Sequence, residues 1–192
     1  MIEAMARTEK EFDPEILVID AVRQGDRAAF EEFFRRQDRW VRGIIYGVLG
    51  DRDRIDDVAQ QAWTAIWNRI GELRDSRLWK SWLYRLAKNA AIDAGREATR
   101  TRRNKQALSA AMRQRVSAAA DAEPANSELR EAVLRAIEEL PALYREPIVM
   151  RHLHQWSYEQ IALLMGMPVD SIETRLVRAR RMLRESLKNQ LA

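Results

Sequence analysis

An all-α fold is what this sequence predicts, and three observations carry the prediction. Apolar residues recur at three- and four-residue spacings through most of the chain, which is the period of an amphipathic helix. Alternating strand-like runs are nearly absent, and glycine and proline fall between helical patterns rather than at hairpin spacing. The periodicity fades from Glu97 to Ser127, which divides the 192 residues into two small helical domains joined by a flexible or partly helical linker.

Taken in order, residues 1–14 are charged and read as a disordered lead. Ile16, Ile19 and Val22 then predict a short helix that stops near Gly25 and Asp26. A longer helix from about Arg27 to Leu49 carries a broad apolar stripe that includes Phe30, Phe33, Trp40, Ile44 and Ile45, and Gly50 ends it. Residues 51–70 form a helix packed on one side through Ile55, Val58, Ala62, Trp63 and Ile66. Asp53, Asp56 and Asp57 fall in its first turns, where carboxylates complement the helix dipole. That role accounts for them, because no partner acids or histidines stand at metal-ligand spacing elsewhere. The outer face of this helix presents Asp57, Gln60, Gln61 and Asn68, acidic and amide groups suited to a protein partner.

The loop GELRDSR leads into a helix over residues 78–96, in which Trp79, Trp82 and Tyr84 alternate with Lys80, Arg85, Lys88 and Arg96. Aromatics at helical spacing fit a core. Aromatics interleaved with cations also fit single-stranded nucleic acid, where charge follows the backbone and flat rings stack on bases. Both can hold on different faces of one helix. The domain is read as residues 15–98 and the linker as 99–126, basic at first and then rich in Ala and Ser.

The second domain, 127–192, begins with a helix marked by Leu129, Val133, Ala136, Ile137 and Leu140 and closed by Pro141. In ALYREPIVMRHLH, Leu143, Ile148, Val149 and Leu153 are expected to pack beneath the last two helices of the chain. Pro147 is placed in a first helical turn, so that this helix starts near Arg145 or Glu146. Ser157 followed by Gln160 is a capping box, Gly166 a helix stop, and Asp170 a second cap. In the last helix Ile172, Leu176, Ala179 and Leu183 share one face, leaving Thr174, Arg175, Arg178 and Arg181 on the other. A second helix with that basic face, joined to the first by a tight turn, is helix-turn-helix geometry and suits phosphates and guanine edges of a major groove.

Composition bounds the rest. The net charge is +4 and the basic residues gather at 96–115 and 175–188, a distribution suited to nucleic acid. With no cysteine, disulfides and cysteine-ligated metal centres are excluded. The start lacks the apolar core of a signal peptide and no apolar run reaches the roughly 20 residues of a membrane helix, so a soluble, cytoplasmic protein without membrane insertion is expected. No nucleophile–base pair, phosphate-cradling glycine loop or metal cluster is present, which argues against an enzyme and against any cofactor.

Together these modules resemble a bacterial RNA polymerase sigma factor of the extracytoplasmic-function (ECF) group, from about Glu15 to Leu187. The resemblance rests on DRIDDVAQQAWTAIW, SWLYRLAKNAAID, and the ordered run from ELPALYREP through YEQIA and GMPV to TRLVRARRML. It implies a factor that binds core RNA polymerase at its clamp and flap regions, directs it to promoters and helps open the DNA. Asp57, Gln60 and Gln61, with Asn68 beside them, would face the polymerase clamp helices. Asn89 and Asp93, with loop 71–76, would capture flipped bases of the single-stranded −10 element, while Arg85 and Lys88, flanked by Trp82 and Arg96, would hold its backbone. Ser171, Thr174, Arg175, Arg178 and Arg181 would read or anchor the −35 duplex. The linker would pass near the polymerase active site and RNA exit path, and an anti-sigma protein is a further partner of the group.

The chain departs from the family pattern at Glu173, where a basic residue is usual, at Val177, commonly polar, and at Ala94-Gly95. Glu173 is read as completing a capping box with Asp170. Two other classes share parts of the pattern: a dimeric helix-turn-helix regulator that works without polymerase, and a sigma-like decoy that binds polymerase but reads no promoter.

Overall fold

Eight α-helices run through the described residues, which in this computed structural model are 13–106, 124–153 and 155–191. Four belong to the first domain: α1 (Glu15–Arg23), α2 (Arg27–Leu49), α3 (Ile55–Arg69) and α4 (Trp79–Gln106). Four belong to the second: α5 (Pro124–Glu139), α6 (Ala142–Leu153), α7 (Tyr158–Met165) and α8 (Val169–Leu191). No strand occurs among the described residues. The segment read as linker falls largely on 107–123, outside the described residues, as does most of the lead; α4 itself runs past residue 98 to Gln106.

The first domain is built on α2, against which α1, α3 and α4 pack. Asp26 caps it by accepting from the amides of Ala28 and Ala29, and Gly50 ends it in the left-handed conformation (φ 63°) that glycine adopts without steric cost. Its apolar stripe meets an aromatic cluster. Phe30, Phe33 and Phe34 lie edge-on to Trp63, and Phe33 and Trp40 edge-on to Trp79 with ring centres 5.6 and 5.8 Å apart, the arrangement that ring quadrupoles favour. The two indole N–H groups at the rim are satisfied, Trp63 donating to Asp38 (2.9 Å) and Trp79 to Asp13 (3.1 Å).

The second domain has an aliphatic core: Ile148, Met150, Ile161, Ala162, Ile172, Leu176 and Ala179. The capping box of α7 forms as expected, with Ser157 and Gln160 exchanging bonds of 3.2 and 2.9 Å, and Gly166 stops the helix at φ 64°. Gln155 sits at φ 53°, uncommon for a residue with a side chain, where the chain turns from α6 into α7.

Several local expectations are corrected. Helix α3 starts at Ile55 rather than at Asp51, since Asp51 instead accepts from the amide of Asp53 in the preceding turn. Helix α6 starts at Ala142, so Pro147 lies inside it; Arg145 and Glu146 are helix-interior residues rather than its start. Leu143 and Leu153, expected beneath the helix-turn-helix, are exposed, while Ile148 and Val149 are buried as expected. Helix α8 starts at Val169, with the carbonyl of Pro168 accepting from the amides of Ser171 and Ile172. Asp170 therefore sits in the first turn as a dipole partner, not as the cap, and the box with Glu173 has no cap to complete.

The two domains are docked. Helix α6 lies along α2, and α7 touches α4. Six consecutive α6 residues, Arg145 to Met150, are buried, because one side faces the aliphatic core and the other faces α2.

Candidate nucleic-acid interface

On α3, the outward positions Asp57, Gln60, Gln61 and Asn68 are all exposed, forming one polar strip over a packed inner face. Beside it, Phe30, Phe34, Trp63, Trp67 and Thr64 line an open groove between α2 and α3. Phe34 is 39% exposed there, an apolar element next to polar groups that can bond a partner.

On α4 the aromatics and the cations separate. Trp79, Trp82 and Tyr84 are 3, 8 and 3% exposed, so the rings proposed for base stacking are core residues in this arrangement. Arg85, Asn89, Asp93 and Arg96 are exposed, Asp93 and Arg96 facing each other at 3.7 Å. Lys88 is half-buried and engaged: its ammonium lies 2.9 and 3.0 Å from the two carboxylate oxygens of Glu146 on α6 and 2.9 Å from the Tyr84 hydroxyl. The loop 71–76 is fixed at its end by Ser76, which donates to Asp20 and accepts from Arg23, and by Asp75, which accepts from the Arg77 amide.

On α8, Ser171, Thr174, Arg175 and Arg178 come together on one groove, lined also by Leu143, Tyr144, Met167 and Asp170. The spacing explains this: positions 171, 174, 175 and 178 share one face of a helix, while Ile172, Leu176 and Ala179 are fully buried on the other. Arg181 stands a turn farther along, exposed, 3.8 Å from Glu185. Glu173 and Val177 are exposed as well. Thr174 and Arg178 are exposed and Ser171 and Arg175 half-buried, whereas Tyr144 and Met167 pack against the core.

Sequence reasoning missed the residues that join the domains. Arg145 donates to four carbonyls: Gly47 (3.1 Å) and Val48 (2.9 Å) at the end of α2, and Glu138 (2.7 Å) and Leu140 (2.9 Å) at the end of α5. Burial holds its guanidinium below the usual arginine pKa range. Glu146 accepts from the Tyr84 hydroxyl at 2.5 Å, and burial together with that carboxylate pushes the phenol well above its ordinary value. Arg52 pairs with Glu131 (3.0 Å) and Glu138 (2.6 Å), Tyr46 donates to the Leu134 carbonyl (3.3 Å), and the Trp40 and Trp156 rings pack at 5.0 Å. The available signal was the pair Arg145-Glu146 itself, two adjacent charges inside the apolar run ALYREPIVM; charges so placed are paired when buried.

The profile described as Sigma-70 region 2 matches residues 33–101, and the one described as Sigma-70, region 4 matches 130–183. The ECF RNA polymerase sigma-E factor of Escherichia coli (strain K12) is 30% identical over 85% of this chain and 89% of its own length. The chain belongs to the ECF RNA polymerase sigma factors. The sigma-E factor of Haemophilus influenzae is 29% identical over 89% of this ECF factor and 94% of its own length. Two solved structures share its fold: CnrH in complex with the cytosolic domain of CnrY (TM-score 0.65, 21% identity, 92% of this chain and 99% of that one) and the sigma factor RpoE with the anti-sigma factor NepR from Bartonella quintana (TM-score 0.63, 21% identity, 83% and 96%). The ECF factor is thus a non-enzymatic protein of promoter-specific transcription initiation, working with core RNA polymerase. Among the described residues no helix is long and apolar enough to cross a membrane.

Proposed function

We propose that three surfaces divide the work of initiation. The α3 strip of Asp57, Gln60, Gln61 and Asn68 docks on the polymerase clamp helices, with the α2–α3 groove admitting an apolar side chain of the partner. Arg85, Lys88 and Arg96 hold the phosphates of the −10 strand, while Asn89 and Asp93 bond captured bases beside loop 71–76 and Trp82 backs the site from the core. Ser171, Thr174, Arg175, Arg178 and Arg181 anchor the −35 duplex, and the second domain also meets the polymerase flap. Domains at 15–98 and 127–192, bridged by 99–126, then grip two promoter elements at once. Tethering both to one polymerase converts modest contacts into specificity. Flipping each base costs roughly a few kcal/mol, which capture offsets. The factor works in the cytoplasm, and an anti-sigma protein is the class of partner that would restrain it.

The observation that carries this reading is the gathering of Ser171, Thr174, Arg175 and Arg178 on one groove of α8. Run-off transcription with purified core polymerase on genomic fragments tests it. Arg175→Ala is expected to weaken use of the upstream element while core binding persists. Loss of core binding with intact promoter recognition would overturn the division of roles.

A further inference from the structure

Loop 71–76 is held in place by α1, a helix that none of the three proposed surfaces uses. Ile19 and Val22 of α1 are buried in the core, and the helix also packs on the two 3₁₀ turns that frame the loop, Ile70–Glu72 and Ser76–Leu78. Asp20 and Arg23, three residues apart, are neighbours on its surface. Among the described residues of the first domain, Ser76 is the one side chain that is buried, 7% exposed, without being apolar or aromatic. A buried hydroxyl costs free energy unless it is bonded. Here the hydroxyl is used both ways: Oγ donates to the Asp20 carboxylate and accepts from the Arg23 guanidinium at 3.1 Å, and the same Arg23 nitrogen bonds Asp20 at 3.1 Å. Bonds to charged partners are roughly twice as strong as neutral ones.

The pattern along the loop shows what this triangle adds. Ile70, Leu73, Ser76 and Trp79 are buried at every third position, while Gly71, Glu72, Arg74 and Arg77 between them are exposed. Leu73 anchors the middle of the loop through apolar contact, which is non-directional. Ser76 fixes direction as well as depth, because its bonds require both distance and angle. Stability alone does not call for such a group, since apolar side chains of the same shape in place of all three would hold the loop about as well. The carboxylates of the loop are occupied locally, Glu72 by Arg69 (2.9 Å) and Asp75 by Arg77 (2.8 Å). Arg74, exposed between them, makes no hydrogen bond or ion pair among the described residues.

We propose that Asp20 and Arg23 are positioning residues for base capture: acting through the Ser76 hydroxyl, they set the height and direction at which loop 71–76 meets the flipped −10 base. This rests on the reading of that loop, with Asn89 and Asp93, as the −10 site. Neither α1 residue touches DNA, and neither belongs to the α3 strip that engages polymerase. Their removal therefore changes which base is accepted more than whether the complex forms.

The test uses holoenzyme assembled from the full chain and core polymerase, on a promoter selected by run-off transcription and on its single-base −10 variants. The readout is the ratio of transcript from the selected −10 sequence to transcript from each variant. Ser76→Ala and Asp20→Leu are each expected to lower that ratio about tenfold at one −10 position, the effect of losing hydrogen bonds to charged groups, while core binding by gel filtration persists. Asp20→Asn keeps an acceptor for the hydroxyl and is expected to keep most of the ratio. If Ser76→Ala and Asp20→Leu bind core, initiate and leave the ratio unchanged, the positioning role is overturned. A uniform fall across all −10 variants, or loss of core binding, overturns it too, because a merely structural contact would act in that way. Arg74→Ala and Asn89→Ala test the −10 site itself. If they lower the ratio and the α1 variants do not, only the positioning role fails; if no variant lowers it, the reading of the −10 site fails as well.

Discussion

The two domains solve the same packing problem with different materials. The first interleaves phenylalanine and tryptophan rings around α2, with the polar edges of two indoles tied off at its rim. The second buries aliphatic side chains at its centre, and its aromatics are only partly buried against them, Tyr144 and Tyr158, the latter under Arg151 (5.4 Å), with Trp156 against Trp40 of the other domain. Large rings bury more area per residue. The two nonetheless share a seam, in which α6 lies along α2 and Trp40 meets Trp156.

The sharpest way to break this comparison is Phe33→Ala. Removing a ring that is 1% exposed should cost about 3–5 kcal/mol. A thermal melt followed by both near-ultraviolet and amide signals should show the first domain lost at much lower temperature, with the second following because its support is gone. Leu176→Ala, fully buried in the aliphatic core, should cost about 2–5 kcal/mol and unfold only the second domain. If it lowers both transitions together, the domains form one cooperative unit and the contrast fails. Ser157→Ala removes the α7 cap and should cost about 1 kcal/mol, visible as a shift of the second transition alone. The smallest effect expected is alkaline. Burial, then the nearby Glu138 charge, pushes the Tyr46 phenol up to about 12. The docked state thus holds this proton more tightly than an undocked one, whose phenol titrates near 10. The contribution is complete below pH about 10 and is lost as pH rises through about 12. Ultraviolet titration should show a phenol ionising across that window, and Tyr46→Phe should remove that step.

Sequence and structure part company where a residue has two neighbours to choose from. Helix α2 was legible from Arg27 to Leu49 because its apolar stripe runs between the break at Gly25-Asp26 and the stop at Gly50. The α8 face was legible for the same reason: a helical period places 171, 174, 175 and 178 together whatever else happens. Pro147 misled because a proline in a first turn is the common case, yet α6 begins well before it, at Ala142. Trp79, Trp82 and Tyr84 satisfied both a core and a stacking pattern, and only the packing around α4 settles them as buried. The pairing of Glu146 with Lys88 spans 58 positions, and no local periodicity encodes a contact at that separation.

Arg145 also completes a helix that is not its own. The final carbonyls of a helix have no partner within it, and for Gly47 and Val48 the partner comes from another domain. Helix α2 is in this sense finished by a side chain of the second domain. Arg145→Ala would exchange that fixed cation for water, and the Gly50 amide that closes on the Tyr46 carbonyl at 2.8 Å would become the end of a fraying helix. Deuterium uptake at residues 49–51 should then rise in a helix whose own sequence is unchanged.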